Sequence, residues 1–416
     1  MTSSIQVVIP PTTYCSGSFV EGEVQLNFRH LREYGDRFEK IWVTLRGRAI
    51  CVCADNDSED YETIPLFDLS RMLWTYGSEY PPPDSDILRL FFRFQLPDDI
   101  PPSLLDRAGP GGTAGVMYSL TTVAVRAGGS TRPWTKYTPI VIVPRDNVSP
   151  LLMQSLVTDA FAWRTVHKSK QVRRALWGDY ATVRIELSVP DVPVFPLFTP
   201  VPFKVDVKTT TAKLTRRIKT DGRADSGATQ QIFPTPPADA SEFVFQLVRR
   251  TKVRVQKREE TIQSVTACAP CEHVDVNVPS KEWVPTPDAP GWSHLSSNQE
   301  RGVWVQCAQY SSKLAFNVPP TFSVGDRLGW EYHLKLKVPF PGSGNDVEVE
   351  MPVTIVSGIN KPVPRKEHQP HSHNPRLSSW APSTSELSLP SEYWQGQGTW
   401  AWNEFNRGIE TQVPTA

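Results

Sequence analysis

Residues 91–104 read FFRFQLPDDIPPSL, and residues 316–322 read FNVPPTF. The run RLFFRFQLP (89–97) alternates with a period of two, which half-buries a strand on one sheet face. The Leu-Pro removes an amide donor and ends the ladder. The Pro-Pro that follows holds the chain extended as it leaves the sheet. Ser103 and Thr321 then supply a hydroxyl for local turn hydrogen bonding. A strand ended in this way crosses to its next partner without a long adhesive edge. The same device at two places in one chain implies two copies of one unit.

Working outward, the copies line up. VMYSLTTVAV (116–125) matches WEYHLKLKV (330–338) through Tyr-x-Leu, and YTPIVIVP (137–144) matches EMPVTIVSG (350–358). Other alternating runs fill the space between: VEGEVQLNF (20–28), IWVTLRGRAICV (41–52), TVRIELSVP (182–190), PFKVDVKTT (202–210) and EFVFQLVRRTKVRVQK (242–257). Regular strands with turns between them, duplicated at long period, predict two antiparallel β-sandwiches in tandem. The expected boundaries are 1–145 and 180–358, with a linker over 146–179. DLSRMLWTYG (68–77) reads as a short helix or a bent strand. LLMQSLVTDAFAWRTV (151–166) reads as a helix or an extended connector.

Composition agrees. Proline occurs 39 times in 416 residues, roughly twice the usual ~5%, and proline is excluded from helix interiors and central strands. From residue 359 alternation stops and Pro, Ser, Asn and Gln dominate. Such a segment buries too little apolar area to offset its ordering entropy, so 359–416 reads as a disordered tail with exposed aromatic anchors. The net charge is zero, which predicts no nucleic-acid partner. The six cysteines show no framework spacing, the start lacks a signal-peptide pattern, and apolar runs such as IVIV (140–143) are too short to span a bilayer. A reduced, cytoplasmic protein with no transmembrane segment is expected.

These residues resemble the arrestin pattern of Phe-x-Phe-x-Leu-Pro, then Pro-Pro-Ser, then Tyr-x-Leu. SFVEGEVQLNF (18–28) and EKIWVTLRG (39–47) are similar to early arrestin strands. FVFQLVRRTKVRV, FNVPPTF, WEYHLKLKV and VEMPVTIV are similar to the carboxyl-terminal arrestin domain. The resemblance covers about 5–358 and is nearest to the fungal α-arrestins. It implies an all-β, immunoglobulin-like pair of sandwiches that acts as an adaptor, not an enzyme. Such adaptors are recruited to plasma membrane or endosome. They bind cytoplasmic tails of membrane transporters or receptors, and engage a HECT-type ubiquitin ligase through Pro-Pro-x-Tyr or Leu-Pro-x-Tyr motifs read by WW domains.

The sequence departs from that motif. Leu389, Pro390 and Tyr393 form LPSEY, one residue too long, and PPTTY (10–14) has the same extra residue. An insertion shifts the tyrosine about 3 Å along polyproline II and turns it by roughly a third of a turn. A ligase-independent sorting scaffold of vesicle or retromer-like coats is therefore an alternative. A carbohydrate-binding β-sandwich is another, from the 13 Trp.

Residues 160–260 hold 19 Lys and Arg against 10 Asp and Glu. Arg250, Lys252 and Arg254 lie on one strand face, with Lys213, Arg216 and Arg217 before a polar loop. They make a candidate surface for acidic or phosphorylated cargo tails or anionic lipid, arginine being suited to bidentate phosphate contact; the alternative is a solvated strand face. Cys268-x-x-Cys271 with His273 is half a zinc pattern without a second pair, and reads as unliganded thiols. GPGGTAG (109–115) precedes a strand and lacks the lysine of a phosphate loop. The acidic run ADNDSEDYE (54–62) lacks the glycine and glutamate of a calcium loop. No cofactor or catalytic constellation is expected.

Overall fold

The computed structural model describes residues 4–35, 37–55, 58–108, 112–128, 133–174, 179–217, 232–286 and 299–364. The fold is all-β. Its described helices, Phe28–Tyr34 and Ser149–Val157, are short, and neither is long and apolar enough to cross a membrane.

Two sheets form the first half. One orders Ile5–Val8, Phe19–Asn27 and Ile87–Gln95, all antiparallel. The other orders Ser58–Thr75, Phe38–Asp55, Gly112–Arg126 and Leu104–Ala108, with Trp134–Pro139 also paired to Gly112–Arg126. Two sheets form the second half. One runs Trp163–Arg173, Tyr180–Pro190, Val201–Thr210, Gln299–Leu314, Leu214–Arg217, with Asp275–Pro285 also on Gln299–Leu314. The other runs Arg258–Cys268, Val244–Val255, Leu328–Val338, Phe322–Val324, with Val347–Val353 also on Leu328–Val338.

The alternation in the sequence sets the faces. In Ile87–Gln95, Leu88, Leu90, Phe92 and Phe94 are buried while Arg89, Phe91 and Arg93 point out. Each such buried side chain contributes about 1.5–3 kcal/mol. Residues 68–75 belong to the strand Ser58–Thr75, not to a helix. Within 151–166, helix Ser149–Val157 gives way to a strand from Trp163, so part of the segment read as linker is sheet.

The proline stops work identically in both halves, but not through the local turn expected. Ser103 donates its amide to Ile142 O (2.8 Å), and its Oγ accepts from Ile142 N (2.9 Å). Thr321 does the same with Ile355, at 2.8 and 2.9 Å. Tyr118 Oη donates to Pro101 O (2.7 Å), and Tyr332 Oη donates to Pro319 O (2.8 Å). The extended Pro-Pro thus presents a carbonyl to the tyrosine of one strand and a hydroxyl to the backbone of another. Each half is latched by the same three contacts. Because the bonds are equivalent and share no residue, Tyr118→Phe and Tyr332→Phe should each cost about 0.5–1.5 kcal/mol, and the costs should add in the double variant. Urea midpoints of the two single variants and the double variant check this; a cost confined to one tyrosine would deny the equivalence.

The last described segment ties the halves together. Thr12–Cys15 lies between Val141–Val143, in parallel, and Val363–Pro364, antiparallel. Asp146 sits at the crossing, only 5% exposed. Its carboxylate accepts Val148 N and Ser149 N at 2.9 Å, Gly358 N at 3.0 Å, and the Ser149 hydroxyl. Its own amide donates to Ile359 O at 2.9 Å. Ser357 Oγ donates to Pro144 O at 2.7 Å. At the other end, the acidic hairpin of the first half meets two neighbouring turns of the second, with Asp60 3.2 Å from Arg258 and Glu62 3.3 Å from Arg327.

Candidate interaction surfaces

The basic strand face is built by the register of Val244–Val255 between Arg258–Cys268 and Leu328–Val338. Period two sends Phe245, Leu247 and Val253 into the core and Arg250, Lys252 and Arg254 outward. Each outward cation meets an acid from elsewhere. Arg250 contacts Glu350 (2.7 Å), Lys252 contacts Glu331 (2.6 Å), and Arg254 contacts Asp326 (2.7 Å). Lys335–Glu348 and Lys337–Asp346 extend the series. The cations of this face therefore stand in a ladder of opposite charges. Exposed pairs of this kind contribute only about 0–1 kcal/mol each, so the ladder's main effect is to neutralise the face.

His333 lies inside the ladder. Its Nε2 is 3.2 Å from Arg250 Nη1, and its Nδ1 is 2.9 Å from Glu350 Oε1. A neutral ring satisfies both, accepting from the guanidinium and donating to the carboxylate. Burial, then the charge of Arg250, push its pKa below the ordinary 6.5. On acidification below that value the unfolded chain takes up this proton before the folded one does. Stability is therefore present above pH 6.5 and is lost as pH falls toward and through the lowered value. His333→Gln keeps a donor and an acceptor. Urea midpoints at pH 7.5 and 5.5 should fall less on acidification for this variant than for the parent chain; equal losses would clear His333 of the effect.

The remaining candidates are dispersed. Arg216 contacts Glu300 at 2.8 Å and lies 4.6 Å over the Trp283 ring, whose Nε1 donates to the same carboxylate at 3.0 Å. Trp283 meets Trp304 edge to face at 5.3 Å, and Lys281 lies 4.5 Å over Trp304. Lys213 is exposed, near the start of Leu214–Arg217. The Arg217 side chain and Leu389, Pro390 and Tyr393 lie outside the described residues. Tyr14 of PPTTY is buried in the strand Thr12–Cys15.

The described tryptophans are committed elsewhere. Trp42, Trp74 and Trp330 are buried, and Trp134 packs against the core. Trp163, Trp283 and Trp304 each carry a cation over the ring. The described indoles therefore offer little open ring face for stacking on a sugar.

Burial pushes the Cys268 thiol up to about 11, and the Cys271 thiol donates to Lys313 O at 3.3 Å. No group of three or more His, Cys, Asp or Glu placed to hold a metal ion occurs among the described residues. Of the acidic run 54–62, Asp60 and Glu62 form the ion pairs described above. The sequence reading missed the Asp146 node, although Asp-Asn-Val-Ser-Pro carries a helix-start signal. It also missed the apolar surface of Ser149–Val157, whose Leu151 and Val157 are each 79% exposed. No protein-family model matches the chain, and no curated protein matches it.

Proposed function

We propose that this chain is a non-enzymatic, arrestin-like trafficking adaptor that links the cytoplasmic tail of a membrane transporter or receptor to endocytosis and ubiquitin-ligase recruitment. The observation that carries the reading is the duplicated latch. The Pro-Pro-Ser/Thr and tyrosine residues behind the resemblance make equivalent bonds in both halves. Fold alone does not set function, so the assignment rests on the resemblance that those residues support. In this reading the ladder around Arg250, Lys252 and Arg254 is the cargo surface. A phosphorylated tail binds there by displacing Glu350, Glu331 and Asp326, since a phosphate forms stronger charge-assisted bonds than a single carboxylate.

Two binding measurements on the full chain test it. Phosphorylated transporter-tail peptides should bind at least tenfold tighter than their unphosphorylated forms, and Lys252→Ala with Arg254→Ala should remove that margin. Equal binding of the two peptide forms would overturn the cargo surface. Purified WW domains of HECT ligases should bind the full chain and lose it on Tyr393→Ala. WW binding that is absent, or indifferent to Tyr393, would favour the ligase-independent sorting scaffold, which the extra residue in LPSEY also favours.

A further inference from the structure

The helix Ser149–Val157 is unusual in what it shows to solvent. No charged residue occurs from Val148 to Thr158. Ser149 and Leu156 anchor the helix, at 2% and 6% exposure, and Leu152 packs on the core. Leu151 and Val157 stand out at 79% each, with Val148 and Met153 also exposed. A cavity of about 940 Å3 opens along its flank, between Met153, Leu156 and Val157 on one side and Phe198, Ala315 and Asn360 on the other. That volume lies at the upper end of the ~300–1,000 Å3 typical of ligand pockets. An apolar surface of this kind, rimmed by polar residues, marks a contact site.

Three features identify the occupant. The rim is not cationic: its charges are Asp159 and the pair Lys313–Glu272 at 3.2 Å. This argues against an anionic membrane, which needs basic residues beside the apolar face. Second, the chain leaves the described fold beside the cavity. Asn360 lines it and Pro364 ends the final strand four residues later, within about 14 Å along the chain. Third, residues 394–405 read WQGQGTWAWNEF, with three Trp and one Phe against a single charge. Thirty positions separate Pro364 from Trp394, and a flexible chain of that length would span on the order of 30 Å. Tethering at that range gives a millimolar effective concentration.

We propose that Trp394–Phe405 docks in the groove between the helix Ser149–Val157 and the Phe198–Ala315 wall, and covers Met153 and Val157. Trp400 and Trp402 supply the apolar area, and indoles suit a groove with an apolar floor and a polar rim. This contact is independent of the cargo and ligase assignments above. It holds whichever partner the protein serves.

The test places p-benzoylphenylalanine at Val157, which lines the groove, in the full chain, with irradiation at sub-micromolar concentration and mapping of crosslinked peptides by mass spectrometry. The expected product joins the position-157 peptide to 394–405 within one chain. Trp400→Ala combined with Trp402→Ala should lower its yield about tenfold. A helix merely exposed to solvent would give no preferred partner, which overturns the proposal. Products at dimer mass, or a crosslink to 394–405 unchanged by the double substitution, overturn it equally. As a second readout, the amides of 151–158 should exchange hydrogen about tenfold faster in the double variant. Exchange unchanged by it but slowed by anionic vesicles would assign the face to a membrane instead.

Discussion

Asp146→Ala should destabilise the protein by about 3–5 kcal/mol, because several buried donors lose a carboxylate acceptor at about 1–3 kcal/mol each. Four donors lose their acceptor together: two amides at the start of the connecting helix, the Ser149 hydroxyl, and Gly358 N from the far end of the chain. Two of these are helix-start amides that no intrahelical carbonyl can serve. The loss should therefore appear in two places. Hydrogen exchange should accelerate at Val148 and Ser149 and also at Gly358, some two hundred residues away. Asp146→Asn should cost less, because the amide oxygen still accepts while its nitrogen opposes one donor. A variant with unchanged urea midpoint, or with exchange altered only near 148, would show that Asp146 serves the helix and not the junction.

Gly47→Val should be comparably severe, roughly 3–5 kcal/mol, for a different reason. A Cβ at Gly47 would stand 2.6 Å from the Tyr118 ring and 2.7 Å from that of Phe67. The rings stack at 5.8 Å across the glycine, and Tyr118 is wholly buried. Overpacking a close-packed core costs about 1–3 kcal/mol. Here Tyr118 must also leave Pro101 O, which adds about 1–3 kcal/mol for the unmet partner. The second half has no such glycine. Arg249 pairs with Tyr332 in the equivalent register and stacks over Trp330 at 4.1 Å. The duplicated latch is thus supported by a glycine in one half and a stacked arginine in the other. Calorimetry on Gly47→Ala and Gly47→Val should give a graded loss. A neutral Gly47→Val would mean that Tyr118 has another place to go.

The sheets could be read from the sequence because period two and proline position act within a few residues. Leu88, Leu90, Phe92 and Phe94 alternate in the text and are buried in the structure. The repeat was visible for the same reason: the offset that pairs Pro139 with Pro352 also pairs Ile142 with Ile355, and those two isoleucines receive the latch. What the text hid is set by partners far along the chain. Alternation says which way Arg250, Lys252 and Arg254 point. It cannot say that Glu350, Glu331 and Asp326 lie beside them, since these acids come from elements more than seventy residues later. Ser103 was assigned a local bond because a hydroxyl after Pro-Pro suits a turn, whereas its partner is 39 residues on. Residues 68–77 were ambiguous because the register shifts where Ile41 and Trp42 meet Trp74 and Met72. The extra residue breaks the alternation that marks a strand.

The seating of Val363–Pro364 against Thr12–Cys15 has a consequence for biosynthesis. The two strands are about 350 positions apart. At 5–20 residues per second, the ribosome needs on the order of 20–70 s to make the intervening chain. During that interval Thr12–Cys15 has emerged with one flank vacant, as has the carboxylate of Asp146 awaiting Gly358. The amino-terminal half therefore completes its maturation only after position 364 has emerged. Nascent chains stalled before position 364 should be the ones that chaperones retain.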